Sequence, residues 1–339
     1  MESNTAAWLT AAKARPFEIK SAPMGAPGEH QILVKNHAIA VNPIDGKLQS
    51  LAIYPMEYPA ILGQDVAGEI VAVGPGVTRF KTGDRVLGTA AGFGTKRSED
   101  RAFQTYTILE SNMACQIPDD MTYASAAVLP LGISTAAAGL FNDDFLALQA
   151  PTYPTRSSMN KSLLVWGGAS SVGCNAIQLA VAAGYEVFAT SSPKNFNLVQ
   201  ELGASRVFDY HSPTIVADIL DALKGKVSVG ILDAVGGAAW VPSMEIAQKL
   251  VGAKFIATTI TGFPEPPEGV LIKQMHALSI VGNNLSKAIF EDFLPIALAK
   301  KAYAVAPAPL IAGHGLESIQ DAVDLQARGV SAKKVVVTL

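Results

Sequence analysis

Leu163–Gly184 reads LLVWGGASSVGCNAIQLAVAAG: four apolar residues, two glycines, a run of small residues, then a helical pattern that stops at a glycine. Val172, Ala176, Leu179, Ala180 and Ala183 recur on one face at a period of 3.6, and Gly184 suits the position just past a helix C-terminus. A strand, a small-residue turn and a helix N-terminus in that order form an anion site. Unpaired backbone N–H groups and the positive helix end converge on the turn. A dinucleotide pyrophosphate is the expected occupant. The dinucleotide fingerprint puts glycine in the middle of this turn, where the backbone approaches the phosphate closely. Ser170 stands there instead, and serine meets the same need provided that its φ stays negative. Gly168, Ala169, Ser170, Ser171 and Val172 are therefore the expected phosphate cradle, with the two serines offering hydroxyls.

Outward from this turn, strand-like and helix-like stretches alternate. SLLVW, EVFAT, RVFDY, VSVGILDAV, KFIATTI and LSIVGNN read as strands, with PKNFNLVQELG and SPTIVADILDALKG among the helices between them. Such alternation predicts a doubly wound parallel sheet covered on both faces, a Rossmann arrangement within an α/β protein. The first 125 or so residues are β-rich instead: HQILVKNHAIAVNP alternates apolar and polar residues, and GPG and TGD turns join short Val/Ile runs after it. TYASAAVLPLGISTAAAGLF is helical in spacing with a break or kink at Pro130. Two more helical patterns and a closing strand, AKKVVVTL, follow Asn284. The expected organisation is a β-rich domain over 1–125, a nucleotide-binding domain over 126–284 and a C-terminal segment over 285–339.

With 339 residues, 49% of them hydrophobic and 16% charged, the chain has ample apolar surface for two cores. A formal net charge of -3 gives no electrostatic case for nucleic acid or an anionic membrane. The N-terminus lacks a secretory pattern, and no stretch is expected to approach the roughly 20 apolar residues of a membrane span. Cys115 and Cys174 form no metal-binding pair. A cytoplasmic, reducing location is the expectation.

The choice of dinucleotide turns on EVFATSSPKN, residues 186–195. NAD calls for a carboxylate at the end of the second strand, about 20 residues beyond the turn, to bind the ribose 2′-hydroxyl. Glu186 lies at the wrong end of that strand. Ser191, Ser192 and Lys194 occupy the right one, hydroxyls and a cation that suit a 2′-phosphate. The alternative, that TSSPK is simply a helix N-cap, uses the same serines. NADPH is the expected cofactor.

NPID (42–45), GQDVAGEIVAVGPGV (63–77), FKTGDRVLG (80–88), AAVLPLGISTAAAGL (126–140), VWGGASSVGCNAIQLA (165–180) and LGASRVFDY (202–210) together resemble the medium-chain dehydrogenase/reductases, in that order and over almost the whole chain. The resemblance implies a GroES-like β-rich catalytic domain, a Rossmann domain, and a C-terminal segment that returns to the first. It also places Tyr210 near the adenosine phosphate of NADPH and adds Pro43 and Asn283 to the expected cofactor contacts. Zinc-using members carry a ligand cysteine near the NPxD site, a Gly-His-Glu triplet and a four-cysteine lobe. Here Asn42 stands near that site, Gly63-Gln64-Asp65 replaces the triplet, and GTKRSEDRAF has no cysteine. Asn and Gln amides bind Zn²⁺ poorly. The chain thus resembles the zinc-independent branch: quinone oxidoreductases, enoyl reductases, and fungal stand-alone enoyl reductases that serve polyketide synthases.

Without a metal to hold an alkoxide, hydride delivery to an activated C=C, or to a quinone, is the expected chemistry. Charge developing on the substrate oxygen needs hydrogen-bond donors, and a proton must reach the α-carbon. Asn42 and Lys47 are the candidate donors, with Asp45 orienting either or serving as a turn former. The resemblance puts a lysine at the Lys47 position beside nicotinamide or substrate, and Thr135 in the same cleft. A plain solvated lysine is the rival reading of Lys47. Gly46, where a bulkier residue is usual, is expected to widen the pocket. The loops Gln149–Ser162 and Thr261–Val270 are expected to rim or cover the cleft. The expected partner is a small-molecule substrate, carrier-bound or free. The alternatives are a non-catalytic NADP(H)-binding protein that docks on a biosynthetic enzyme, and a zinc alcohol dehydrogenase. Monomer and homodimer both stay open, the latter by edge pairing through LSIVGNN.

Overall fold

In the computed structural model, which describes residues 3–339, Gln31–Ala40 is the organising strand of the β-rich unit. Its apolar positions are buried, and it pairs antiparallel with Asp65–Val73, Tyr106–Glu110 and Lys333–Thr338. Arg85–Thr89 and Ala114–Gln116 extend one side of this seven-stranded sheet, and Ala308–His314 lies beyond Lys333–Thr338 at the other. A three-stranded sheet of Glu18–Ala22, Asn4–Leu9 and Ala60–Ile61 completes the β structure. Ile32, Val34, Ile39, Val66, Ile70, Phe103 and Val335 belong to one core with Ile319 and Val323 of the helix Ile319–Ala327. The C-terminal segment is thus integral to this unit, which among the described residues comprises 3–131 and 305–339.

The second unit, residues 132–304, is built on six parallel strands: Lys161–Trp166, Glu186–Ser191, Arg206–Asp209, Val227–Asp233, Phe255–Thr258 and Leu271–Gln274. Their order in the sheet is third, second, first, fourth, fifth, sixth. That is the doubly wound Rossmann order, whose direction reverses between the first and fourth strands. Leu164, Phe188, Ile231 and Ile256 from four strands join Ile219 and Ile246 of the helices Ile215–Ala222 and Trp240–Lys249 in its core.

Five expectations change. The unit boundaries fall after 131 and 304, not 125 and 284. Residues 285–304 stay with the parallel sheet because Tyr303 and Ala304 hydrogen-bond Asn175 and Gln178 of the helix Ser171–Ala182. LSIVGNN is no strand: Ala277–Ile280 is a 3₁₀ turn, and the edge strand is Leu271–Gln274, just past the Pro-rich loop. Tyr123–Phe141 does reach membrane-span length and hydropathy, 19 residues at a mean hydropathy of 1.6, but 78% of its apolar window is buried within the fold. A Cβ added at Gly46 would meet Val323 and Ala327 of the C-terminal helix at ordinary contact distance, so this position faces a neighbouring helix and not a widened pocket. The loop after Gln149 is no lid over the phosphate turn. Its Arg156 and Met159 N–H groups bond Ala182 O (3.1 Å) and Gly184 O (2.9 Å), at the C-terminal end of a helix about 18 Å long whose N-terminus carries the turn.

Candidate active site

The nucleotide turn forms because glycine is obligatory at two of its positions. Gly167 has φ +85°, and a Cβ there would meet Val235 Cγ2 at 2.3 Å. A Cβ on Gly173 would lie 2.2 Å from Gly167 O and 2.9 Å from Gly168 Cα, so the helix can pack this closely on the turn only without a side chain. Gly168 N–H bonds Thr190 O at 2.8 Å and Gly167 N–H bonds Thr190 Oγ1 at 3.0 Å, which locks the turn onto the second strand. Ser170 has φ −76° and caps the helix Ser171–Ala182 by accepting Gly173 N–H at 3.0 Å. The backbone here is one that any residue adopts. The serine replaces glycine without strain and adds a cap worth a few tenths of a kcal/mol over glycine.

This turn fits a dinucleotide phosphate. The backbone N–H groups of Ala169, Ser171 and Val172 make no hydrogen bond among the described residues, and the buried Ser171 hydroxyl has no partner there. At the end of the second strand Ser191 is buried, and its hydroxyl also lacks a partner among the described residues. Ser192 Oγ accepts from Asn195 at 3.2 Å, while Lys194 is exposed and forms no ion pair among the described residues. Tyr210 is exposed at the end of the third strand. Asn283 is exposed too, but its side chain is engaged locally. It caps Asn284–Lys287 by accepting Leu285 N–H at 3.0 Å and donates to Ser279 O at 3.1 Å.

Asp233 was not anticipated as a site residue. Buried at the end of the fourth strand, its carboxylate accepts Val235 N–H at 2.9 Å, Gly236 N–H at 2.9 and 3.1 Å, and Thr258 O–H at 2.8 Å. It thereby fixes the turn that lays Val235 over Gly167, at the point where the sheet order reverses. Its only sequence signal was a carboxylate ending an otherwise apolar strand.

In the β-rich unit NPID opens the helix Pro43–Leu51, with Pro43 exposed at its first position. Asn42 is the N-cap residue, and its own N–H donates to Asp45 Oδ2 at 2.8 Å. The Asn42 amide is engaged at both ends: Nδ2 donates to Asp65 Oδ2 at 2.6 Å, and Oδ1 accepts from Lys334 Nζ. Lys334 Nζ lies 2.8 Å from Asp65 Oδ2, and Asp65 Oδ1 accepts Leu131 N–H at 2.6 Å. Asn42, expected as a substrate donor, is held here between a carboxylate and an ammonium. It is a buried bridge, because a carboxylate and an ammonium need both ends of its amide. Asp45 is likewise a helix-capping group. It is fully buried, and desolvation pushes its carboxyl up to about 7.

Lys47 is half-buried on the same helix and makes no hydrogen bond or ion pair among the described residues. Thr135 belongs to the other unit, half-buried on the helix Pro130–Phe141. Among the described residues no three His, Cys, Asp or Glu side chains come together as metal ligands. In GTKRSEDRAF, Thr95 and Arg97 hold Asp100 at 2.6 and 3.7 Å. Both cysteines are buried, which raises the Cys115 thiol and pushes the Cys174 thiol up to about 12, so neither is a ready nucleophile.

Residues 28–119 match the alcohol dehydrogenase GroES-like domain, and residues 171–297 match the zinc-binding dehydrogenase family. With its GroES-like β-rich unit and Rossmann sheet, the chain belongs to the medium-chain dehydrogenase/reductase family and is an oxidoreductase; the family binds nicotinamide cofactors. The zinc-binding alcohol dehydrogenase domain-containing protein cipB of Emericella nidulans is 55% identical over 99% of this chain and 98% of its own. The trans-enoyl reductase himH of Aspergillus japonicus is 37% identical over 99% and 97%. A mycobacterial structure complexed with NADPH superposes with a TM-score of 0.72 at 26% identity, covering 99% of this chain and all of that one.

Proposed function

We propose that this oxidoreductase uses NADPH, without zinc, to reduce an activated C=C, an enone or enoyl thioester, or a quinone. The observation that carries this reading is the Asn42–Asp65–Lys334 cluster. Zinc-using members place their ligands along these same stretches. Here a buried ammonium and an amide satisfy the carboxylate, and among the described residues no three His, Cys, Asp or Glu side chains gather to hold a metal. The trans-enoyl reductase relative and the NADPH-bound neighbour support the same reading.

When bound, NADPH supplies hydride to the substrate carbon. Ala169, Ser171 and Val172 N–H groups and the Ser171 hydroxyl would hold its pyrophosphate, and Ser191, Ser192, Lys194 and Tyr210 its 2′-phosphate. Lys47, which has no partner among the described residues, is the donor for charge developing on the substrate oxygen. Thr135 helps to orient nicotinamide or substrate. The substrate is a small molecule, free or carrier-bound.

Calorimetric titration with NADPH and with NADH, metal analysis of the purified protein, and a turnover panel of enones, enoyl thioesters and quinones test this. NADPH binding at least ~10-fold tighter than NADH, substoichiometric zinc and turnover of one class are expected. Stoichiometric zinc, or no turnover across the panel, would overturn it.

A further inference from the structure

The second and third strands of the parallel sheet end side by side, and Ser191 and Asp209 are register partners there. In NAD-binding folds the carboxylate for the ribose 2′-hydroxyl ends the second strand; Asp209 stands beside that position on the third strand, where a free carboxylate would repel a 2′-phosphate. Asp209 is not free. Its Oδ1 accepts the His211 backbone N–H at 3.0 Å and lies 2.9 Å from His211 Nδ1. The His211 backbone N–H, above all, holds the Asp209 carboxyl below its ordinary range. With the carboxylate ionised, Nδ1 is the donor. The imidazole also lies against the Tyr210 ring, with centroids 4.1 Å apart and planes tilted by 37°. His211 therefore touches both the acidic residue at this strand end and the aromatic residue expected beside the phosphate.

We infer that His211 is a nucleotide-selectivity residue: by clasping the Asp209 carboxylate beside Ser191, it opens to a 2′-phosphate a strand end from which a free carboxylate would repel it. The clasp engages the acceptor oxygen with two N–H donors, one from the backbone and one from the ring, and reduces the negative charge presented to the ligand. Lys194 then offers an uncompensated cation from the neighbouring strand end. This inference rests on the NADPH reading above.

The test is direct titration of the intact protein with NADPH and NADH separately, for wild type, His211→Ala, Asp209→Asn and the double variant. In His211→Ala the NADPH dissociation constant should rise roughly fivefold, the cost of a like charge a few ångström away in a well-solvated setting. The NADH constant should stay level or fall. Asp209→Asn in the His211→Ala background should restore NADPH affinity, because the repelling charge is gone. If wild type prefers NADPH and His211→Ala keeps the same ratio, or weakens both nucleotides alike, the inference fails while the NADPH reading stands. If the double variant does not recover NADPH affinity, the charge argument fails. A wild type that prefers NADH removes the NADPH reading itself.

Discussion

Lys334 Nζ lies 2.8 Å from Asp65 Oδ2, with the lysine 4% exposed and the aspartate fully buried. Two groups far apart in the chain thus form a closed ion pair at the foot of the NPID helix, with Asn42 bridging them. Removing one partner leaves the other as an uncompensated buried charge. Lys334→Met is expected to cost about 3–5 kcal/mol of stability, read from urea unfolding midpoints. The double variant Lys334→Met/Asp65→Asn should recover a large part of that loss. A double-variant loss equal to the sum of the Lys334→Met and Asp65→Asn losses would mean that the pair carries no coupling.

Asp45 makes stability depend on pH in a defined direction. Its folded-state pKa is about 7, against the ordinary 3.8. The folded protein therefore binds more protons than the unfolded chain between these values. The stability due to protonated Asp45 is fully present below about pH 4 and is lost as pH rises through about 7. Asp45→Asn keeps an acceptor for the Asn42 N–H and removes the charge. Relative to wild type it should gain up to about 4 kcal/mol at pH 8, with little gain at pH 4. Parallel thermal melts across that range, with a constant gap between the two proteins, would show that Asp45 does not titrate as stated.

The phosphate turn distinguishes its two kinds of small residue. Gly173→Ala drives a methyl group into Gly167 O and Gly168 Cα, both backbone atoms that cannot swing aside. NADPH affinity should fall by at least ~10-fold, with ~1–3 kcal/mol of stability lost to overpacking. Ser170→Gly should lose only a few tenths of a kcal/mol, since glycine is itself a tolerated N-cap. Its nucleotide affinity should stay near wild type. Fluorescence titration with NADPH reads both. If Ser170→Gly binds much tighter, the serine has been obstructing the phosphate.

Lys47 separates catalysis from binding. Lys47→Met removes the donor proposed for the substrate oxygen but touches no ion pair or cap. Turnover should drop about 10²-fold, the scale of one lost donor to a developing oxyanion, while the NADPH dissociation constant stays put. Unchanged turnover would return Lys47 to the role of a solvated lysine.

The doubly wound sheet was legible because its strands are buried on both faces and so read as apolar runs separated by helical periods. The glycine turn was legible because close backbone approach restricts residue type. The edge strand Leu271–Gln274 was not, since an exposed edge with one covered face lacks a continuous apolar run. Ala308–His314 is half-exposed in the same way. Asp45 caps the helix start and holds the Asn42 N–H, in line with the turn-forming role expected of it, whereas the Asn42 amide meets Asp65 and Lys334, which no motif indicated. A motif identifies which side chains are available, and the partners they meet come from elsewhere in the chain.

The sequence by itself determined the two-part architecture and the nucleotide turn, because these rest on local rules: periodicity, capping, and positions where a Cβ cannot fit; the family came from the resemblance of its motifs. Tertiary structure alone decided what the polar residues do. Only folding brings Lys334 from the last strand to Asn42 and Asp65, some 290 and 270 residues earlier. Only strand pairing sets Asp209 beside Ser191, where His211 can reach it. A buried charge is set by the groups that close around it, and those are chosen by topology, not by neighbours in sequence.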